Sequence, residues 1–268
     1  MSNRGFKFGI GVATLLLASI VNGAFLEVDV GAGGWNQQWD GYLELKGVKN
    51  YFNNSGAEGD QNPNTGNFGL ESQKNGYFYF RVVHPLPLLP NFRFQYTNYN
   101  TSGQSSFIAG NLKLLGKVEI PVSLTDAETQ LELDSYDLTL FYQLSNWINL
   151  GVGVDLWKGS LKITGKDQLG QTREVEGDFI LPIPYLYGRV ETPPVWGFSV
   201  EATGKWASFN ENHHYDWEGA VKYLWDLPGP IDPYIRIGYR YKELKWVDGE
   251  DESLLKIKGP FAEVAIEF

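Results

Sequence analysis

The sequence predicts an all-β fold, a transmembrane antiparallel up-and-down β-barrel of about ten strands, and three observations carry that prediction. Apolar residues recur at every second position along nearly the whole chain, which is the period of a strand and not of a helix. The connections between the alternating runs are long and short by turns. The chain also opens with a segment built like an export signal.

That segment is Met1 to Gly23. It carries Arg4 and Lys7, then an uncharged stretch from Phe8 to Val21 centred on Leu15, Leu16 and Leu17, then small residues. The uncharged run is short for a membrane-spanning helix, so residues 1–23 read as a signal peptide cleaved at Gly23/Ala24 rather than as an anchor. Residues 24–268 are then the barrel. Cleavage removes two positive charges and no acid, and takes the formal charge from −10 to −12.

The strands follow in order. Leu26, Val28, Val30 and Ala32 alternate with Glu27, Asp29, Gly31 and Gly33. Phe78, Phe80 and Val82 alternate with Tyr77, Tyr79 and Arg81, and Phe92, Phe94 and Tyr96 with Arg93, Gln95 and Thr97. Tyr136, Leu138, Leu140 and Tyr142 form the fourth run; Ile148, Leu150, Val152, Val154 and Leu156 form the fifth. In the sixth, Phe179 to Val190, Pro182 and Pro184 blur the alternation. The seventh is Phe198 to Trp206, and the eighth opposes Tyr215, Trp217, Val221 and Tyr223 to Asp216, Glu218 and Lys222. Ile235, Ile237, Tyr239 and Tyr241 form the ninth run, and Ala262, Val264, Ile266 and Phe268 the tenth.

Long connections fall at about Asn36 to Asn75, Ser102 to Gln130 and Gly159 to Glu174; short ones at Pro85 to Pro90, Ser145 to Trp147, Thr192 to Trp196 and Asp226 to Pro230, with a moderate one at Val247 to Ser253. Asn210 to His213 is the exception, a tight turn where a long loop is due. Long loops on one rim, tight turns and both termini on the other, and an even strand number are the plan of an outer-membrane barrel. Runs of about 8 to 11 residues with Tyr or Trp near their ends suit a tilted crossing of the hydrocarbon layer. A soluble sandwich or lipocalin-like barrel would alternate in the same way. Against it, the polar faces hold Gly31, Gly33, Gly151, Gly153 and Ser199 beside charges, as a crowded lumen would.

Composition narrows the function classes. The chain has no cysteine, which removes disulfides, thiol catalysis and Cys-ligated metals; no cofactor is expected. No second long apolar run exists, so the chain is not a polytopic helical membrane protein. The acidic balance argues against nucleic acid as a partner.

With the apolar faces toward lipid, the polar faces line the lumen. Its candidate lining residues are Glu27, Asp29, Arg81, Arg93, Asp137, Asp155, Arg189, Glu201, Lys205, Glu218, Lys222, Arg236, Arg240 and Glu263, joined by Asp216, Lys242 and Glu267. Acids and bases nearly balance there. A structural ion-pair network is the favoured reading, with a narrow polar pathway as the functional one. Ten strands lie little above the size whose interior side chains can fill, so a wide pore is not expected.

At the C-terminus, Val264, Ile266 and Phe268 on one face resemble the terminal signal by which the outer-membrane assembly machinery of Gram-negative bacteria engages its substrates. The segment Val30-Gly31-Ala32-Gly33-Gly34-Trp35 resembles the start of a family of small outer-membrane barrel proteins with a Gly-Gly pair, here Gly33 and Gly34. Leu89 to Phe94, Pro182 to Arg189 and Gly238 to Tyr241 extend the likeness along the mature chain. The resemblance implies an outer-membrane location, contact with outer-membrane lipid and lipopolysaccharide, and passage through periplasmic chaperones and the barrel-assembly machinery. It implies no activity. A monomer is expected.

Three functional readings follow. The first is a barrel without enzymatic role, either a narrow, porin-like channel for small solutes or a structural or adaptive surface protein. The second is a barrel hydrolase using His213 and His214 with Asp216 at the outer rim, or a metal site there, although a pair of rim histidines is ordinary loop composition. The third is adhesion or ligand binding by the long outer loops, with Tyr51, Phe52 and Phe68 offering an aromatic surface.

Overall fold

A computed structural model describes residues 26–54, 64–86, 88–115 and 117–268; the signal segment and its cleavage point lie outside the described residues. Fifteen strands follow one another: β1 (Glu27–Leu45), β2 (Val48–Tyr51), β3 (Thr65–Asn67), β4 (Gln73–Val83), β5 (Asn91–Asn98), β6 (Thr101–Ile108), β7 (Leu112–Leu114), β8 (Val118–Ile120), β9 (Leu124–Ser145), β10 (Ile148–Lys166), β11 (Thr172–Glu191), β12 (Phe198–Phe209), β13 (Asn212–Leu224), β14 (Asp232–Asp248) and β15 (Asp251–Glu267). Ten of them, β1, β4, β5 and β9 to β15, pair in sequence as an antiparallel sheet that closes on itself where β15 meets β1. The closed ten-strand barrel of the sequence reading is therefore the fold. Val28 and Phe268 exchange backbone hydrogen bonds of 2.7 and 3.0 Å at the seam, so both ends of the folded chain lie on the tight-turn rim.

Six wall strands, β1, β9, β10, β11, β14 and β15, are much longer than a membrane crossing requires. β9 has 22 residues, roughly 70 Å at about 3.3 Å per residue, against the 9 to 11 residues that span. Only part of each strand carries the outward apolar belt. On β9 the belt runs from Tyr136 to Leu144, on β10 from Ile148 to Leu156, on β13 from Tyr215 to Tyr223 and on β14 from Ile235 to Tyr241; these residues are outward and largely exposed. Trp147, Trp196 and Trp225 stand at its tight-turn edge, and Trp206 and Trp217 at the other, as interfacial girdles do.

Above the belt the strands continue and the two faces exchange character. On β10 the outward residues after Leu156 are Lys158, Ser160 and Lys162, while the inward ones are Trp157, Leu161 and Ile163, the last fully buried. On β9 the outward side becomes Asp134, Glu132 and Gln130 and the inward side Leu133 and Leu131. β11, β14 and β15 do the same, with Phe179, Leu244, Leu255 and Ile257 turned in. The barrel thus has a charged interior within the membrane and an apolar interior beyond it. The connections read from sequence as long loops at Ser102 to Gln130 and Gly159 to Glu174 are corrected: the second is mostly wall, and the first is made of β6, the β7–β8 hairpin and the start of β9. β10 and β11 pair without interruption from Ile148↔Val190 to Lys166↔Thr172. Their hairpin is closed by Asp167, which accepts from the amides of Leu169 and Gln171 at 2.9 Å and from Arg173 Nε at 2.8 Å. Arg173, with those amides, holds the Asp167 carboxyl below its usual range.

The same correction applies to the first long connection. β1 runs on to Leu45, and β2 pairs back onto it. Phe52 and Phe68, read as a surface of the loop, are buried and stacked on each other with centroids 5.7 Å apart. The short hairpin of β7 and β8 lies across the mouth. Val118 and Ile120 are buried; Val118 packs against Gly177 on β11, and Leu115 N donates to Ser253 Oγ on β15 at 3.2 Å.

Candidate functional site

The candidate site is the lumen, because closing a barrel brings the inward position of every strand onto one axis. All fourteen lumen candidates, and Asp216, Lys242 and Glu267 with them, lie on inward positions of the ten wall strands. All but Arg93 meet as a chain of ion pairs. At the tight-turn end Arg81 pairs with Glu27 and with Asp29, the latter at 2.6 Å, and Lys222 lies 3.4 Å from Glu267. Glu27, Asp29 and Glu267 bring carboxylate oxygens within 4.8 Å of one another, and Arg81 neutralises two of the three.

In the middle, Arg236 reaches Glu201 at 2.9 Å, Glu263 at 3.0 Å, and Glu218, while Arg189 reaches Glu201 at 2.8 Å and Glu191. Tyrosines complete the acceptor shells. Tyr77 and Tyr79 donate to Glu263 at 2.9 and 2.8 Å, and the Tyr79 and Tyr234 hydroxyls are 2.6 Å apart. Arg93 stacks over the Tyr79 ring at 4.7 Å and donates to Gln95 at 2.6 Å. Toward the outer end Lys205 bonds Asp137 at 2.6 Å, Arg240 grips Asp216 through two nitrogens, and Lys242 bonds Asp155 at 2.6 Å. Paired in this way, the charges escape the several kcal/mol that each would cost if desolvated alone.

Sequence reasoning placed Tyr77 and Tyr79 on the polar face and gave them no role. The signal was present in the glycines opposite. A Cβ on Gly31 would fall 2.5 Å from the Tyr79 ring, and one on Gly33 2.6 Å from the Tyr77 ring. Gly33, the first member of the Gly-Gly pair, therefore opens space for a lumen tyrosine; nothing lies near a Cβ on Gly34.

The lumen is full. One gap among these side chains, between Asp29, Arg81, Glu201 and Arg236, holds about 30 Å³, room for about two waters. Above it Trp35, Tyr99 and Trp157 form a lid of rings 5.7 and 6.0 Å apart. Arg240 lies 4.9 Å from the Trp35 ring, and Lys242 4.9 Å from Trp157 and 5.1 Å from Tyr99. The apolar interior begins on the far side of that lid.

The rim histidines lie within β13 and not in a loop. His213 Nε2 is 2.8 Å from Glu243, and its ring stacks on Tyr215. His214 turns inward, is almost wholly buried beside Trp157, and has no hydrogen-bond partner at either nitrogen. Burial, then the charge of Lys242, lowers its pKa to about 4. The Asp216 carboxylate is taken by Arg240, so the three residues form no relay of hydrogen bonds.

No family model matches the chain, and no curated protein matches it in sequence. Among solved structures it is similar to the outer membrane protease OmpT of Escherichia coli, at 7% identity over 91% of this chain and 96% of that one, with a TM-score of 0.43. It is similar also to Ail, the attachment invasion locus protein of Yersinia pestis, at 8% identity over 89% and 98%, with a TM-score of 0.31. A third is the toluene transporter TodX of Pseudomonas putida, at 10% identity over 90% and 89%, with a TM-score of 0.29.

Proposed function

We propose that this chain is an exported outer-membrane barrel that acts as a non-conducting surface protein, holding a rigid, closed extension outside the membrane. The observation that carries the reading is the double obstruction of the axis. A filled ion-pair network occupies the membrane zone, and the Trp35, Tyr99 and Trp157 lid with an apolar core occupies the zone above. A conducting pathway would need a continuous polar channel through both. Outer-membrane lipid and lipopolysaccharide surround the belt, and assembly proceeds through periplasmic chaperones and the assembly machinery, engaged by Val264, Ile266 and Phe268. The protein works as a monomer without a cofactor.

Planar-bilayer recording of the refolded, heat-modifiable protein tests the reading. No conductance steps are expected; regular steps that vanish on heat unfolding would overturn it.

A further inference from the structure

The wall of the barrel is not equally tall all round. The ladder between β10 and β11 is unbroken over the whole of Thr172 to Val190, whereas β11 pairs with β12 only from Leu186↔Trp206 to Glu191↔Glu201. Above Leu186 the edge of β11 on the β12 side has no strand beside it. β12 and β13 turn back at Phe209 and Asn212, so the wall dips between the tall β11 and the tall β14. Pro182 and Pro184 sit on the exposed stretch of β11. Proline has no N–H to give to a ladder and belongs at edges, which explains how β11 tolerates the missing neighbour.

The gap opens into a cleft of about 860 Å³ in the outer side of the wall, with Pro182 and Pro184 on one side, Trp206 and Ala207 on the other, and His214 and Trp246 at its closed inner end. Its lining is mainly apolar, and its volume falls in the range of ligand pockets. The lipid-facing side chains of Leu186 and Trp206 line its mouth, so it continues the hydrocarbon belt inward. The inner end is polar and unmet. His214 is 1% exposed with no partner at Nδ1 or Nε2, and the buried Nε1 of Trp246 has none either. Buried polar groups left in this way cost about 1 to 3 kcal/mol each, so their place at the end of an apolar cleft suits a ligand that answers them.

We propose that this gap is a lateral binding cleft for a single-chain amphiphile with an uncharged hydroxyl head, the tail lying between β11 and β12 and the hydroxyl meeting His214 and Trp246. A hydroxyl accepts from the indole N–H and from the imidazole N–H, or donates to the unprotonated imidazole nitrogen, so its hydrogen-bonding capacity matches what the two side chains offer. The cleft lies in the wall above the ion-paired lumen and binds whether or not that lumen conducts.

The test is quenching of the intrinsic tryptophan fluorescence of the full refolded barrel in phosphatidylcholine vesicles, titrated with 12-bromododecanol. The expected result is a saturable component that Ala207→Phe, which fills the cleft, abolishes. His214→Phe should weaken it between twofold and tenfold, the loss of one hydrogen bond. Bromododecane, which lacks the hydroxyl, should bind more weakly by a similar factor. Retained heat-modifiable migration certifies each variant; if His214→Phe does not fold, Ala207→Phe and the comparison of the two probes decide. Strictly linear quenching in the unaltered protein, unchanged saturation in Ala207→Phe, or equal saturation by bromododecane would each overturn the proposal.

Discussion

Lys242 Nζ lies 2.6 Å from Asp155 Oδ2 directly beneath the ring of Trp157, at the level where the barrel interior changes from charged to apolar. Asp155 also accepts from Ser135 Oγ at 2.5 Å and from Trp157 Nε1 at 2.8 Å. This pair joins the lid to the ionic lumen. Lys242→Met leaves Asp155 buried without its cation, and removal of one partner from a buried pair costs about 3 to 5 kcal/mol. The urea midpoint of the refolded barrel should fall accordingly, while Lys242→Met combined with Asp155→Leu should recover much of the loss. A single variant as stable as the parent would show that the pair does not hold the lid.

The extension stands on its own apolar core. Ile163 is fully buried there, well above the belt. Ile163→Ala should cost about 2 to 5 kcal/mol, read as faster proteolysis of the extension, with heat-modifiable migration of the membrane zone retained. Leu150→Arg acts on the opposite side of the same strand, in the belt, where a charge facing lipid costs about 2 to 4 kcal/mol at mid-depth. It should depress insertion into vesicles instead. If the two variants showed the same defect, the division into two zones would fail.

Gly33 and Tyr77 make a third test. A side chain at position 33 would collide with the Tyr77 ring and with Ala262 O. Gly33→Val should therefore displace Tyr77 from Glu263 and lower the thermal midpoint, and Tyr77→Ala should restore part of the loss by emptying the space. Gly34→Val, outward with nothing near it, should be close to neutral in the folded wall. Equal damage at the two positions would mean that the Gly-Gly pair serves the backbone and not the tyrosine.

These relationships explain why some of the molecule was legible in the sequence and some was not. The membrane crossings were legible because Leu150, Val152 and Val154 face lipid while Gly151, Gly153 and Asp155 face the lumen, a period-2 pattern in apolarity. Beyond Leu156 the strand keeps its geometry, but the apolar residues Trp157, Leu161 and Ile163 now stand on the opposite parity. Apolar patterning reads such a phase change as the end of a strand, so wall was taken for loop. The lumen charges were legible because they share a parity with glycines. The lateral gap left two marks, the blurred alternation at Pro182 and Pro184 and the tight turn at Asn210 to His213, and only pairing in three dimensions joins them.

The acid side of the stability profile gives the last test. His214 lies just outside the belt, and burial with Lys242 nearby lowers its pKa from about 6.5 to about 4; Asp155 and Asp216 oppose the shift and Lys205 adds to it. A histidine whose folded pKa is depressed is neutral in the folded state while the unfolded chain takes up a proton. Stability from this group is therefore complete above about pH 6.5 and drains away as pH falls toward 4, by about 3 kcal/mol in all. The comparison must be between proteins that share the carboxylates of the lumen. His214→Gln keeps those carboxylates and removes the titration. Its urea midpoint should fall less between pH 7.5 and pH 4.5 than that of the parent. A variant whose midpoint falls by the same amount would mean that His214 is protonated in the folded barrel at its ordinary pH.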